Sequence, residues 1–372
     1  MDPFYDPART YESNYADGPF GAFAEPPAST RAQSPPRARF LGLPVHEPFG
    51  IPAGPLLNAR FVAAAFAHGF DLCVYKTVRS HAHPCHPFPN VLAVHVDGDL
   101  TLDRARGPVT ADDRFTQPLS ISNSFGVPSQ DPDVWQPDMA RAVAAAGPGQ
   151  ILIGGFQGTR DAGTSLVADT ARTARLVAET GAPVLELNLS CPNEGSSALL
   201  CFDTAQVQRI LTAVKDAVGD IPLLVKIAYF ADDQALRELV DATAELVAGY
   251  SAINTIPARL VDAGGMPALP GRETSGVCGS AIRWAGLDMT RRLAGIRSLI
   301  GADFAIIGVG GVAGADDDLA YRDAGADAVM SATGAMWHPG LAADVRAYPR
   351  HRSEPPDAGR AGRRINRVSS PT

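Results

Sequence analysis

The chain has 372 residues, 45% of them hydrophobic and 19% charged, and a formal net charge of −8, so it can bury a large core as one big α/β domain or two ordinary ones. Its acidic balance excludes a general nucleic-acid surface, which wants clustered Lys and Arg, and the sequence has no apolar run of the ~18 residues that a membrane span requires. Cys73, Cys85, Cys191, Cys201 and Cys278 form no CxxC and no even framework, so no metal site, iron–sulfur cluster or disulfide scaffold is expected.

The opening MDPFYDPARTYESNYADG is acidic, aromatic and broken by proline, unlike the basic-then-apolar plan of a secretory signal, and a cytoplasmic protein is expected. Residues 1–44 read as an irregular arm. Its Phe4, Tyr5, Tyr11, Tyr15, Phe20 and Phe23 are equally consistent with wrapping a neighbouring copy in a homodimer and with a strap over the base of their own domain.

Eight strand-like runs follow: 49–54, 72–76, 150–156, 183–189, 222–227, 250–256, 303–309 and 327–332. Most are separated by stretches such as TAQVQRILTAVKDAV and GLDMTRRLAGIRSLIG, with apolar residues at three- and four-residue spacing. Alternation at this count predicts a (β/α)₈ barrel over 45–347, with a doubly wound open sheet as the alternative. QPLSISNSFG (117–126) and VLAVHVDGDLTLD (91–103), whose Asp-Gly suits a hairpin turn, are assigned to a β-hairpin insertion over the C-terminal mouth. From 348 to 372 the chain is basic and short of apolar residues, and is expected to be disordered.

Barrel active sites lie at the C-terminal ends of the strands. Read in order, those ends carry Ala53 and Gly54, Lys76 and Thr77, Gly155, Asn188 through Asn193, Lys226, Asn254 and Thr255, Gly308, Gly310 and Gly311, and Thr333 and Gly334. The insertion adds Asn123, Ser124, Phe125 and Gly126. In ELNLSCPN (186–193) strand alternation places Asn188 and Ser190 on one face, and Pro192 lifts Cys191 into a loop.

Side-chain amides match a planar ring with alternating N–H and C=O groups, such as a pyrimidine-dione. Lys76 and Lys226 beside a barrel interior need an anion, an electron-rich cofactor or a carboxylate such as Glu186. GVGGV and SATGA each precede a helix-like segment, a way barrels present backbone N–H groups to phosphate, and Cys278-Gly279 adds a third set of amides. Flavin mononucleotide accounts for all of these together.

VYKT, SNSFGVPS, ELNLSCPN, LVKI, INTI, SGVCG, IIGVGGV and SATGA occur in this order between residues 46 and 345. In them the chain resembles the dihydroorotate dehydrogenases, specifically their soluble, cysteine-using class. The resemblance implies an FMN-bearing (β/α)₈ barrel in which a thiolate takes a proton from C5 of dihydroorotate while C6 passes hydride to flavin N5. It makes Cys191 the base and places Asn123, Asn188, Asn193, Asn254 and Thr255 on the pyrimidine. Lys76 and the backbone N–H groups of Phe125, Gly126 and Val127 would hold the substrate carboxylate. Ala53, Gly54, Lys76, Thr77, Asn188, Lys226, Gly279, Gly310, Gly311, Thr333 and Gly334 would hold FMN.

The chain departs from the family pattern in the loop EGSSALLCFD, which lacks the usual proline-and-glycine texture, and in the order Thr333-Gly334. Two other readings compete: a dehydrogenase of another dihydropyrimidine-type ring, and a non-catalytic FMN-binding barrel. The electron acceptor is left open: fumarate, NAD through a partner protein, or another oxidant.

Overall fold

Eight parallel strands close on themselves in chain order: β1 Phe49–Ile51, β2 Leu72–Val78, β3 Ile151–Phe156, β4 Val184–Asn188, β5 Leu223–Ile227, β6 Gly249–Ala252, β7 Ala305–Val309 and β8 Ala328–Met330. The last, β8, returns to β1 with Val329 opposite Phe49. This is a computed structural model, and it describes residues 3–25, 27, 35–160, 163–190 and 199–348. The strands are buried on both faces, which is why they read as continuous apolar runs rather than as alternating ones. The (β/α)₈ barrel is the expected fold, with helices between the strands.

Helix Thr204–Val218 illustrates how local sequence sets the outer ring. Val207, Ile210, Leu211 and Val214 fall on one buried stripe. Asp203 caps the start, its Oδ1 accepting from Gln206 N at 2.9 Å, and Gly219 at φ +64° ends the helix.

At the opposite end to the mouth, the antiparallel pair Ala38–Phe40 and Leu43–Val45 plugs the barrel base. Phe40 and Val45 pack there with Leu72, Val74, Ile151, Val184, Leu224 and Ile307. The arm was left open between wrapping a neighbouring copy and strapping the base; its last residues plug the base, whereas its aromatic part packs elsewhere on its own barrel. Phe4 N donates to Met336 O at 3.0 Å beyond β8, Phe23 stacks on His68, and Asn58 and Arg60 hold the Tyr15 carbonyl. Within the arm, helix Tyr11–Asp17 is started by Thr10, while the buried Asn14 amide gathers the carbonyls of Asp6, Arg9 and Thr10.

The insertion is larger than one hairpin. Five strands, Ala93–His95, Pro108–Asp112, Ser120–Asn123, Ile256–Val261 and Thr274–Gly279, form a second small closed sheet. The first three come from the β2–β3 connection and the last two from β6–β7. Three details therefore differ from the sequence reading. Asp97-Gly98 is not a two-residue turn: Ala93 pairs with Asp112 across a long connection containing helix Leu102–Arg106. Arg104 gathers that connection by donating to the carbonyls of Asp97 and Asp99. The run 250–256 is broken after Ala252, and Ile256 starts a strand of the insertion. SGVCG, not among the predicted strand runs, is itself a strand, and the helical segment expected after it follows directly at 280–300. The tail from residue 349 lies outside the described residues.

Candidate active site

A cavity with about 1040 Å³ of atom-free space opens at the C-terminal mouth. It brings together Ala53, Gly54, Lys76, Thr77, Asn123, Phe125, Val127, Asn188, Lys226, Asn254, Thr255 and Thr333. Each arrives from the end of a barrel strand or from the insertion above it. Thr333 also lines a second cavity, with Gly279, Gly311, Gly334, Trp337 and His338. The two cavities share Thr333 as a wall: on one side lies an amide- and cation-lined chamber, on the other a chamber walled by glycine backbone. Gly310 lines neither chamber; its carbonyl accepts from the buried Tyr321 hydroxyl at 2.6 Å. Cys191 and Asn193 lie outside the described residues.

Lys226 and Glu186 sit in the floor, 5% and 2% exposed. Lys226 Nζ donates to Ser251 Oγ at 3.4 Å, whereas Glu186 Oε2 has no hydrogen-bond partner. Burial pushes the Glu186 carboxyl above its ordinary value, against the pull of Lys226 and Ser251. It pushes the Lys226 ammonium down, against the pull of Glu186. Lys226 and Glu186 feel each other's charge, but no ion pair joins them, so the carboxylate left open as a partner for this lysine does not pair with it directly and one of its oxygens stays orphaned in the floor. Lys76 is also buried, with its ammonium 5.7 Å from the centroid of the Tyr11 ring.

The amides are held rather than loose. Asn188 Nδ2 donates to Gln157 Oε1 at 2.8 Å, and Asn188 Oδ1 accepts from Ser190 Oγ at 3.0 Å, as the shared strand face implied. Asn254 N donates to Ile227 O at 3.0 Å, which pins the break after β6 against β5. Thr255 has space because the facing strand carries Gly276, where a Cβ would lie 2.3 Å from Thr255 Oγ1.

The glycines of the second chamber serve close approach. A Cβ on Gly311, at φ +68°, would lie 2.5 Å from Arg283 Cβ, and one on Gly334 would lie 2.3 Å from Val312 O. Between the chambers, Thr333 Oγ1 is buried without an oxygen or nitrogen partner beside the Cys278 thiol, which burial raises to about 11. Gly308 has a different purpose: a Cβ there would strike the Tyr321 ring. Cys201, the rival thiol, is fully buried, does not line the cavity and is raised by burial to about 11.

Two wall residues from the arm were not foreseen. Tyr5 and Tyr11 line the main cavity and meet Phe125 edge-on at 5.5 and 6.1 Å between ring centroids. The Tyr5 hydroxyl is buried without a partner. No periodicity or motif in the arm signals this. Among the described residues no helix is long and apolar enough to cross a membrane.

A family model described as "Dihydroorotate dehydrogenase" matches residues 114–345. The chain is 33% identical over 353 residues to "Dihydroorotate dehydrogenase" of Dictyostelium discoideum, covering 91% of this chain and 95% of that protein. It is 29% identical over 312 residues to "Dihydroorotate dehydrogenase (quinone)" of Clavibacter sepedonicus, covering 80% and 79%. Among solved structures it is similar in fold to DHODH from Eimeria tenella, crystallised with ferulenol. The TM-score is 0.64 at 20% identity, covering 82% of this chain and 81% of that one.

Proposed function

Because this chain belongs to the dihydroorotate dehydrogenase family and is an oxidoreductase acting on a CH–CH bond, we propose that it oxidises dihydroorotate to orotate, with FMN as its resident cofactor and Cys191 as its base. The observation that carries this reading is the convergence of three asparagines and two buried lysines in a chamber that shares Thr333 as a wall with a glycine-walled one.

The residues fit FMN on two counts. Gly311 and Gly334 line the second chamber, and among the described residues neither backbone N–H has an acceptor, which leaves both for a phosphate. The orphaned Thr333 hydroxyl lies between the chambers, where a ribityl chain would pass. Gly279, Gly311, Thr333 and Gly334 would hold the phosphate end, with Gly310 shaping the turn beside them, and Ala53, Gly54, Lys76, Thr77, Asn188 and Lys226 would hold the ring. When bound, FMN would supply the acceptor for the hydride leaving C6.

The chain's own groups do the rest. Asn123, Asn188, Asn193 and Asn254, with Thr255, pair the ring's N–H and C=O edges and fix which face meets the cofactor. Lys76 offsets the substrate carboxylate, and Lys226 favours an electron-rich ring edge in the floor. Cys191, as thiolate, removes the C5 proton. A free thiol ionises near a pKa of about 8.5, so this base gains strength as pH rises. Choice of the soluble, cysteine-using class rests on Cys191 itself.

The test is a visible spectrum of the purified protein followed by anaerobic dihydroorotate. Bleaching of a flavin band supports the reading. A bound flavin that ignores dihydroorotate refutes it and favours a different dihydropyrimidine or a non-catalytic barrel.

A further inference from the structure

Arg79 follows β2 directly and is 1% exposed, yet it lines neither chamber. Its guanidinium reaches the loop that carries Phe125, Gly126 and Val127, and also Thr159 after β3. Nε donates to Val127 O at 3.0 Å, Nη2 to Gly126 O at 3.3 Å and Nη1 to Thr159 Oγ1 at 2.9 Å. Its backbone is fixed too: Arg79 N donates to Ser129 Oγ at 3.0 Å, and Trp135 Nε1 donates to Arg79 O at 3.1 Å.

In a planar trans peptide the C=O and the following N–H point in opposite directions. Ser124 O accepts from Asn90 Nδ2 at 3.0 Å, Phe125 O from His86 N at 3.0 Å and Gly126 O from Arg79. Each of these bonds turns the next N–H, that of Phe125, Gly126 or Val127, away from its partner. Asn123, Phe125 and Val127 line the main cavity. Among the described residues none of the three N–H groups has an acceptor. Gly126 and Val127 lie at φ +75° and +53°, and the three successive N–H groups are left without acceptors for an anion to use. Val127 is β-branched and rarely adopts a positive φ, so its carbonyl needs an external hold. Arg79 supplies that hold with a two-pronged, permanently charged donor.

We propose that Arg79 is a positioning and specificity residue. By fixing the carbonyls of Gly126 and Val127 it aims the neighbouring amides at the substrate carboxylate. As a buried cation behind those peptides, it makes the site select a ring that bears a carboxylate over one that does not. This inference rests on the dihydropyrimidine reading of the cavity and deepens it.

The test uses full-length, flavin-loaded Arg79→Lys and Arg79→Gln. Orotate, and uracil as the ring without a carboxylate, are titrated against the flavin spectrum, and KM and kcat are measured with dihydroorotate. Charged hydrogen bonds of this kind are worth a change of about 10- to 100-fold in orotate Kd and in KM. Uracil affinity, flavin content and kcat should stay close to the parent's, with Arg79→Lys between Arg79→Gln and the parent. An orotate Kd for Arg79→Lys within about twofold of the parent overturns the proposal. Equal weakening of orotate and uracil also overturns it, because that is general loosening. If Arg79→Gln does not fold, Arg79→Lys, which keeps charge and length, decides the matter. A parent enzyme that dihydroorotate does not bleach refutes the substrate reading instead, an outcome visible before any variant is made.

Discussion

Replacing Lys226 by Met strands Glu186 in the floor of the barrel with one oxygen already lacking a partner. Removing one member of a buried charge pair costs about 3–5 kcal/mol, because the other is left uncompensated. With an unfolding entropy of roughly 2 cal/mol/K per residue, a chain of 372 residues loses about 4–6 °C in Tm for that cost. Replacing both partners, Lys226→Met with Glu186→Leu, removes both desolvation costs and should return Tm to within about 2 °C of the parent or above it. The melts are run on flavin-free protein, so that lost cofactor binding does not mimic lost stability. Re-addition of FMN then asks a separate question, and the double variant should bind it poorly despite its recovered fold. A double variant no more stable than Lys226→Met alone would refute the coupling argument.

Cys191→Ala should purify yellow and reduce its flavin about 10²- to 10⁴-fold more slowly in stopped-flow mixing with dihydroorotate; a parent-like rate removes Cys191 from the mechanism. Gly311→Ala should purify with little flavin, since its Cβ would meet Arg283 at 2.5 Å on a backbone at φ +68°. Gly295→Ala, an open helix position, should retain flavin and gain up to about 1 kcal/mol of stability. For pH, burial raises Glu186 above its unfolded value, so the folded state holds this proton longer. The stability it confers is full below the unfolded carboxylate pKa of about 4.3 and is lost as pH rises through the folded pKa. Tm of the parent should therefore fall across that interval more steeply than Tm of Glu186→Gln, and identical slopes would reject the assignment.

Lys76, Lys226, Asn188 and Asn254 were legible because the alternation of β and α runs places strand ends on one rim. Nothing about their chemistry had to be known first. The glycines were only half legible. Gly311 and Gly334 wall the second chamber, but Gly308 makes room for Tyr321 and Gly276 for Thr255, and a sequence shows the small residue without the neighbour that requires it. The five-stranded insertion was hidden because Gly276 pairs with Asn123 and Arg259 with Pro108, across connections far apart in the chain. Tyr5 and Tyr11 were illegible for the same reason: an irregular segment carries no period, and its place is set by distant partners such as Met336.

That last contact ties the arm to the closure of the barrel. Phe4 precedes the whole barrel in the chain, yet the carbonyl it bonds belongs to Met336, beyond the barrel's last strand. The hydrogen bond exists only where the segment after β8 is in place, so the wall bearing Tyr5 and Tyr11 depends on closure of β8 against β1 as well as on its contacts with the first barrel helix.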